Sequence, residues 1–313
     1  MRSLVDAAPP GEKPSIDTVD PRFAAFVPGN ALLEPLLQGA RWLDGPVWFA
    51  DHRLLLVSDI PNDRILRMTE AGEVSVFRQP AAFANGHARD REGRLVGCSH
   101  GGRCIQRTRF DGKVETLVDA YRGKRLNAPN DVVVKSDGSI WFTDPHCGIE
   151  TDYEGTKQAP ELPPSVYCFD PATGTLHGVA DDFDGPNGLA FSPDEGLLYV
   201  AESGTQFAPE PKRHIRVLDV SDDGRSLWRA RVFHTVSPGY ADGFRCDQQG
   251  NLWSSAGDGV HCIAPSGDLL GRIYTPHAVS NLCFGGRLMS RLFLCCGSTL
   301  YAMSINQRAA TWP

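Results

Sequence analysis

The sequence predicts an all-β fold, a six-bladed β-propeller. At six places along the 313 residues, a polar turn leads into a short apolar strand. A second hairpin, in which apolar and polar residues alternate, follows each of the first five. No segment shows a persuasive long helical period. Repeats of four short strands at a period of about 45 residues are typical of propeller blades.

The turn of the first hairpin is recognisable in every blade. In four blades it carries a glycine just before the strand, in the segments DREGRLVGCS (90–99), KSDGSIWFTD (135–144), SPDEGLLYVAES (192–203) and CDQQGNLWSSAG (246–257). The first blade, FADHRLLLVSD (49–59), has the same pattern without glycine, and the last, FGGRLMSRLFLCCG (284–297), has a longer turn. The six segments are spaced widely enough for each to begin its own blade.

The last blade lacks a fourth strand, because TLYAMSI (299–305) is not followed by another strand pattern. We expect the N-terminal region to supply it, with FAAFV (23–27) and ALLEPLL (31–37) as the two candidate segments. Such a strand would join the first and last blades and remove two exposed sheet edges. The predicted organisation is an N-terminal extension over residues 1–30, partly wrapping the propeller, and a propeller over residues 31–313.

Composition narrows the classes of function. A net charge of −7 argues against a nucleic-acid partner or an anionic membrane surface. We expect no signal peptide and no membrane-spanning segment, since no apolar run is long enough for either. The nine cysteines are odd in number and form no C-x-x-C pair, which disfavours a zinc cluster and a disulfide framework. A reducing cytoplasm is the expected location.

A second series of residues precedes these strands. In each blade an Asp or Asn lies ten or eleven residues before the first hairpin's strand, and a glycine follows it in four of the six. Because the first strand of each blade lines the central channel, these side chains should form a ring at one mouth. The six residues are Asp44, Asn85, Asn130, Asn187, Asp242 and Asn281.

Two interpretations of this ring compete. An Asx-Gly pair commonly forms the turn before a strand, with the Asx side chain hydrogen-bonded to its own backbone. For a single site this purely structural interpretation is preferable. For six sites that converge on one axis we favour a metal site. Convergent oxygen atoms, two of them from carboxylates, are the ligands that a hard divalent cation prefers.

The same residues carry a resemblance to a known family. The chain resembles the gluconolactonase/senescence-marker-protein family, the regucalcin-like six-bladed propellers, and within it the bacterial gluconolactonases. The resemblance rests on five segments taken in order: LDGPVWF (43–49), APNDVVVKSDGSIWFTDP (128–145), GPNGLAFSPDE (185–195), YADGFRCDQQGNLW (240–253) and NLCFGG (281–286).

The resemblance implies one divalent metal in the channel, with Asp44, Asn187 and Asp242 as ligands. Ca²⁺ is the expected ion, and Zn²⁺, Mg²⁺ and Mn²⁺ are the alternatives. Asn130 matches a residue that binds substrate or metal in different members. Asn85 and Asn281 are then left with a structural or supporting role.

Two positions depart from the family pattern. The family usually has Glu where this chain has Asp44, one methylene shorter. Some members have Arg, which helps to hold the sugar, where this chain has Ala128. The departure at Ala128 leaves the choice of substrate open.

The function implied by the resemblance is metal-dependent hydrolysis of a sugar lactone. Asp242 is the predicted general base and Asn130 the predicted catalytic residue that orients the substrate. His100 and His146 are candidate substrate contacts, because each follows a channel-side strand. The insertion at 146–165 is interpreted either as a lid or as a surface loop.

Two other functions stay open at this stage. Related propellers hydrolyse organophosphates or aryl esters with a bound metal, and a non-catalytic calcium-binding propeller would show the same ring. The expected partner is a small-molecule lactone, and the expected assembly a monomer or a homodimer.

Overall fold

The computed structural model of the protein describes residues 10–204 and 212–310. Six antiparallel sheets, five of four strands and one of five, follow one another along the chain, which confirms the predicted six-bladed propeller. Each blade starts with its inner strand, and in blades 1 to 5 the next three strands pair in order outwards.

The strand bounds are as follows. Two strands precede the blades: β1 (Ile16–Thr18) and β2 (Glu34–Leu37). Blade 1 contains β3 (Leu43–Phe49), β4 (Leu54–Asp59), β5 (Arg64–Thr69) and β6 (Val74–Arg78), and blade 2 contains β7 (Ala84–Arg89), β8 (Leu95–Ser99), β9 (Cys104–Thr108) and β10 (Val114–Val118). A small hairpin of β11 (Ala120–Tyr121) and β12 (Lys124–Arg125) follows. Blade 3 contains β13 (Val132–Val134), β14 (Ile140–Asp144), β15 (Ser165–Asp170) and β16 (Thr175–Ala180).

Blade 4 contains β17 (Pro186–Phe191), β18 (Leu197–Glu202), β19 (His214–Val220) and β20 (Leu227–Thr235). Blade 5 contains β21 (Phe244–Cys246), β22 (Leu252–Ala256), β23 (Gly259–Ile263) and β24 (Leu269–Tyr274). Blade 6 contains β25 (Asn281–Gly285), β26 (Arg291–Cys296) and β27 (Thr299–Ser304). Helices are short: 3₁₀ turns at Pro21–Ala25 and Ile60–Asn62, and one α-helix, α1 (Cys147–Glu150), within the part of the chain that the structure describes.

The N-terminal region closes the ring. β2, from the second candidate segment, pairs antiparallel with β27 and completes blade 6. The first candidate segment forms no strand. It contributes instead to the 3₁₀ turn, where Phe23 is fully buried with its ring centroid 6.0 Å from that of Trp253. β1 adds a fifth strand to blade 5, next to β24. The domain boundary at residue 30 stays a prediction.

Aromatic pairs fill the spaces between blades. The rings of Trp48 in blade 1 and Phe293 in blade 6 stack at 5.4 Å. Trp141 of blade 3 meets Phe191 of blade 4 at the same centroid distance, edge to face. Such contacts between large apolar surfaces hold neighbouring sheets together and fix their relative tilt.

Two further observations concern the cysteines and the length of the helices. All nine cysteines are free thiols, as their spacing predicts. Among the described residues, no helix is long and apolar enough to cross a membrane.

Candidate metal centre and active site

The six Asx residues lie at one mouth of the channel, where the inner strands begin. Hydrogen bonds join the neighbouring blades at this level. Gly86 N donates to the Asn130 carbonyl at 2.8 Å, and Gly188 N donates to the Asp242 carbonyl at 2.9 Å. Between blades 3 and 4, the Thr143 hydroxyl donates to the Asn187 carbonyl at 2.6 Å. The backbone of the ring is therefore a fixed frame.

The glycines that follow the Asx residues are required by this close approach. A Cβ on Gly188 would lie 2.1 Å from the Asp242 carbonyl oxygen, and one on Gly243 would lie 2.1 Å from Asn281 Oδ1. No side chain fits at such distances. The Asx-Gly series thus reflects contact between blades, in addition to any turn within one blade.

Asp44 is 5% exposed and is held from two sides. Its Oδ1 accepts hydrogen bonds from Gly45 N at 2.6 Å and from Asn281 Nδ2 at 2.9 Å. Burial raises the pKa of Asp44 to about 6, against the effect of these two hydrogen bonds, and the negative charge of Asp131 adds to the rise. Asn281 therefore supports Asp44, in line with the supporting role predicted for it.

Asp242 lies at the start of blade 5, two blades from Asp44 around the ring, and the residue is half-buried. Its backbone N–H donates to the Ser255 hydroxyl at 2.8 Å, which fixes the residue at the start of the strand. Burial and the negative charges of Asp44 and Glu154 raise the pKa of Asp242 well above its usual range, while a hydrogen bond from Asn187 acts in the opposite direction. The ring thus brings two carboxylates close enough to repel each other.

The residues present suit a divalent cation. Asn187 Nδ2 donates a hydrogen bond to the Ser203 hydroxyl at 2.8 Å, so the amide oxygen Oδ1 points away from Ser203. This Oδ1 is buried and accepts no hydrogen bond. The unpaired amide oxygen and the two carboxylates of the ring are hard oxygen donors, the type that Ca²⁺ or Mg²⁺ prefers. The described residues contain no group of three or more His, Cys, Asp or Glu placed to hold a metal.

Asn130 and Asn85 occupy the other side of the ring. Asn130 Nδ2 points to the Cys147 sulfur at 3.5 Å, at the start of α1. Asn85 Nδ2 faces His100 Nε2 at 3.2 Å, and its Oδ1 is buried without a partner. His100 is fully buried, which lowers its pKa to about 4, so it is neutral at pH 7. Its contact with substrate stays a prediction.

A charged pair lies beneath the ring. Asp131, 1% exposed, accepts from Arg245 Nη1 at 3.3 Å, which links blade 3 to blade 5. Arg245 also donates to its neighbouring carbonyl at Phe244. Its positive charge lowers the pKa of Asp44, and the charge of Asp131 raises it. Sequence analysis did not single out this pair, since a sequence separation of 114 conceals the proximity of its members.

The insertion at 146–165 covers part of the same mouth. His146 Nε2 bonds to the Leu162 carbonyl at 3.1 Å, within the insertion itself. Its predicted contact with substrate is untested. A Cβ on Gly148 would lie 2.4 Å from the His100 ring and 2.8 Å from the Ala128 Cβ. The insertion backbone therefore fills the space around Ala128 and leaves no room there for a long side chain.

A cavity of about 160 Å³ lies toward the other ends of the inner strands, lined by residues such as Val47, Val134, Phe191 and Phe284 with Arg245. It contains none of the six Asx residues. We place the site at the ring because the unpaired oxygens and the repelling carboxylates are there.

Comparison with known proteins identifies the family. The model of the SMP-30/Gluconolactonase/LRE-like region matches residues 42–298. The chain belongs to this family. It is 31% identical to a gluconolactonase from Zymomonas mobilis over 302 residues, which cover 86% of this chain and 80% of that protein. The resemblance drawn from the five sequence segments is thereby confirmed.

Solved structures also resemble this chain. A gluconolactonase from Xanthomonas campestris is 39% identical, with a TM-score of 0.89 over 97% of this chain and 99% of its own. A calcium-binding protein, regucalcin, from Agrobacterium tumefaciens is 17% identical, with a TM-score of 0.73 over 88% of this chain and 94% of its own. The second likeness shows the fold alone.

Proposed function

We propose that this protein hydrolyses a sugar lactone of the D-glucono-1,5-lactone type to the aldonic acid, with a divalent cation bound by Asp44, Asn187 and Asp242. The observation that carries the proposal is a buried, unpaired Asn187 oxygen in the same ring as two carboxylates that repel each other, in a chain of the gluconolactonase family. Ca²⁺ is the proposed ion because every donor is a hard oxygen.

The bound cation would supply Lewis-acid polarisation of the lactone carbonyl. Asp242 is the general base: it takes a proton from the water whose oxygen attacks the carbonyl carbon. The ring C–O bond then breaks, and the proton passes to the departing ring oxygen, which becomes the hydroxyl of the product acid. The Asn130 amide holds the carbonyl or a ring hydroxyl in place during this step.

Asp242 suits the role of base because Ser255 fixes its backbone while the residue is half-buried rather than fully buried. Asp44 is more deeply buried and has one oxygen committed to two donors, so it suits binding better than proton transfer. The division of roles between the two acids follows from this difference in surroundings. We also propose the cytoplasm as the site of action, in keeping with the nine free cysteines.

The test is turnover by metal-stripped protein reconstituted with Ca²⁺, Mg²⁺, Mn²⁺ or Zn²⁺ in turn. Acid release from D-glucono-1,5-lactone is followed in a pH-stat and corrected for spontaneous hydrolysis. An aryl ester and an organophosphate triester are assayed in parallel. Metal-dependent turnover of the lactone supports the proposal. Faster turnover of either other ester, or no turnover with any of the four metals, would overturn it.

A further inference from the structure

The cavity at the other end of the channel has a lining that repeats around the axis. The third residue after each member of the Asx ring contributes to it, so every inner strand supplies one residue at this level. These residues are Val47, Ala88, Val133, Ala190, Arg245 and Phe284. Five of the six are apolar, and Arg245 is the exception. The periodicity that builds the Asx ring therefore also builds an apolar wall with one guanidinium in it.

The guanidinium of Arg245 is held through one of its nitrogens. Nη1 donates to the Phe244 carbonyl at 2.7 Å and to the Asp131 carboxylate at 3.3 Å. The side chain is 19% exposed, so the fold encloses most of it. Neither Nε nor Nη2 donates to an acceptor among the described residues. These two nitrogens form the edge of a guanidinium that binds a carboxylate through two parallel hydrogen bonds, and they are the ones left unused.

Two uncharged polar side chains also line the cavity, Trp48 and His87. Trp48 is 4% exposed, and its Nε1 is buried without an acceptor in the described part of the chain. Burial lowers the pKa of His87 to about 3, so this ring is neutral at pH 7. A buried N–H without an acceptor costs free energy that a bound acceptor restores. The residues of the wall thus include unpaired donors from blade 1 and from blade 5.

The charged residues of the wall favour an anion. They are three arginines and one acid: Arg89, Arg91, Arg245 and Glu195. Arg89 pairs with Asp51, and Arg91 lies 3.7 Å from Glu195, so both of these arginines already face a carboxylate. Arg245 differs because its Nε–Nη2 edge is unpaired. One such edge matches one carboxylate.

The volume of the cavity limits the rest of the ligand. It measures about 160 Å³. An apolar cavity of roughly 150 Å³ accommodates a molecule of the size of benzene. A phosphate group would bring a second negative charge, and the other two arginines already face a carboxylate. The wall therefore suits a ligand with one negative charge and a small apolar body.

We propose that this cavity binds a small monocarboxylate with an apolar body, and that the carboxylate pairs with Nε and Nη2 of Arg245. The apolar body packs against the ring of residues that includes Val133 and Phe284. The site lies at the opposite end of the channel from the Asx ring, and it does not depend on whether that ring hydrolyses a lactone.

The test is calorimetry on the chelator-treated full chain, in which a carboxylate has no cation to bind at the Asx ring. Benzoate is the probe, and benzamide has nearly the same shape without the charge. Arg245→Lys keeps one nitrogen for Asp131 but has no second edge, so it should weaken benzoate binding about tenfold or more and leave benzamide almost unchanged. The control is Arg231→Lys, since Arg231 pairs with Asp219 at 2.7 Å on an exposed strand; it should alter neither affinity.

A second variant keeps Arg245 and removes space. Ala88→Leu narrows the cavity and should weaken binding of both probes about tenfold or more, whereas Ala172→Leu, in an exposed turn, should have no effect. Asp242→Asn should bind benzoate as the wild type does. A loss in Asp242→Asn would place the ligand at the Asx ring and overturn the proposal. Equal affinity of the wild type for benzoate and benzamide, no benzoate binding at millimolar concentration, tighter binding of inorganic phosphate, or unchanged benzoate affinity in Ala88→Leu would overturn it as well.

Discussion

Replacing Asp44 by Asn should raise the thermal stability of the metal-free protein and lower that of the metal-bound protein. Asp44 is buried among like charges, and its pKa is about 6 against an ordinary value of 3.8. A shift of this size corresponds to about 3 kcal/mol between the charged and neutral forms. Because the folded state binds the proton more tightly than the unfolded state, the stability of the metal-free protein falls as pH rises from about 4 to about 6.

The assay is thermal unfolding of chelator-treated protein from pH 4 to 8. The neutral Asn lacks the charge but keeps an oxygen for the Asn281 amide, so Asp44→Asn should melt roughly 5 °C above wild type at pH 7.5, with the difference vanishing near pH 4. With saturating Ca²⁺ the order should reverse, since the variant lacks a ligand. The inversion between the two conditions distinguishes a metal site from a merely structural carboxylate.

Asp59→Asn is the matched control. Asp59 is fully buried, but it already has a cation, with Arg64 Nη2 2.7 Å away. Removing its charge should destabilise the protein with and without metal, by about 1–3 kcal/mol, because the half-buried Arg64 guanidinium loses its charged partner. If Asp44→Asn also lowers the melting temperature of metal-free protein at pH 7.5, then burial of a carboxylate without a cation is not what raises the pKa of Asp44.

Three further outcomes follow from the same geometry. Asp242→Asn should leave a folded protein, by circular dichroism, whose kcat for the lactone is lowered by roughly 10²-fold or more; a rate within a few fold of wild type would remove Asp242 as the base. Chelation should abolish turnover and lower the melting temperature, since a cation present at a hundredfold excess over its Kd adds about 2.7 kcal/mol to stability; full turnover by exhaustively stripped protein would contradict this. Gly243→Ala should destabilise by about 1–3 kcal/mol in chemical unfolding, because its Cβ would overlap Asn281. Gly29→Ala, at a position with open space around it, should have little effect, and equal losses in both would refute the close-approach argument.

The blade pattern was predictable because it is local. Each hairpin combines a polar turn with a strand of alternating or fully apolar residues, and both signals lie within about a dozen residues. The partner of the last blade was predictable only as a choice between two apolar segments. The first segment forms a 3₁₀ turn instead of the strand, because the Phe23 ring packs beside Trp253.

The ring was predictable for a different reason. A residue at the same place in every blade must converge on the axis, whatever its chemistry. The other charged groups near the ring are not periodic, because Asp131 and Arg245 come from different blades and pair with each other. No repeat relates these residues to one another, so only the three-dimensional structure brings them together.

The stretch LDGPVW combines two requirements in adjacent residues. Gly45 has no Cβ because one would lie 2.0 Å from the Asn85 carbonyl oxygen of the next blade. A Glu at position 44 would need its extra methylene to fit beside this contact and the Asn281 amide. If Asp44→Glu keeps metal affinity, the channel has room for a longer ligand, and the shorter acid is a tolerated variation. If it loses affinity while the fold is intact, the ring is built for the short acid. The blade-to-blade contact that demands glycine at 45 then also limits which acid is allowed at 44.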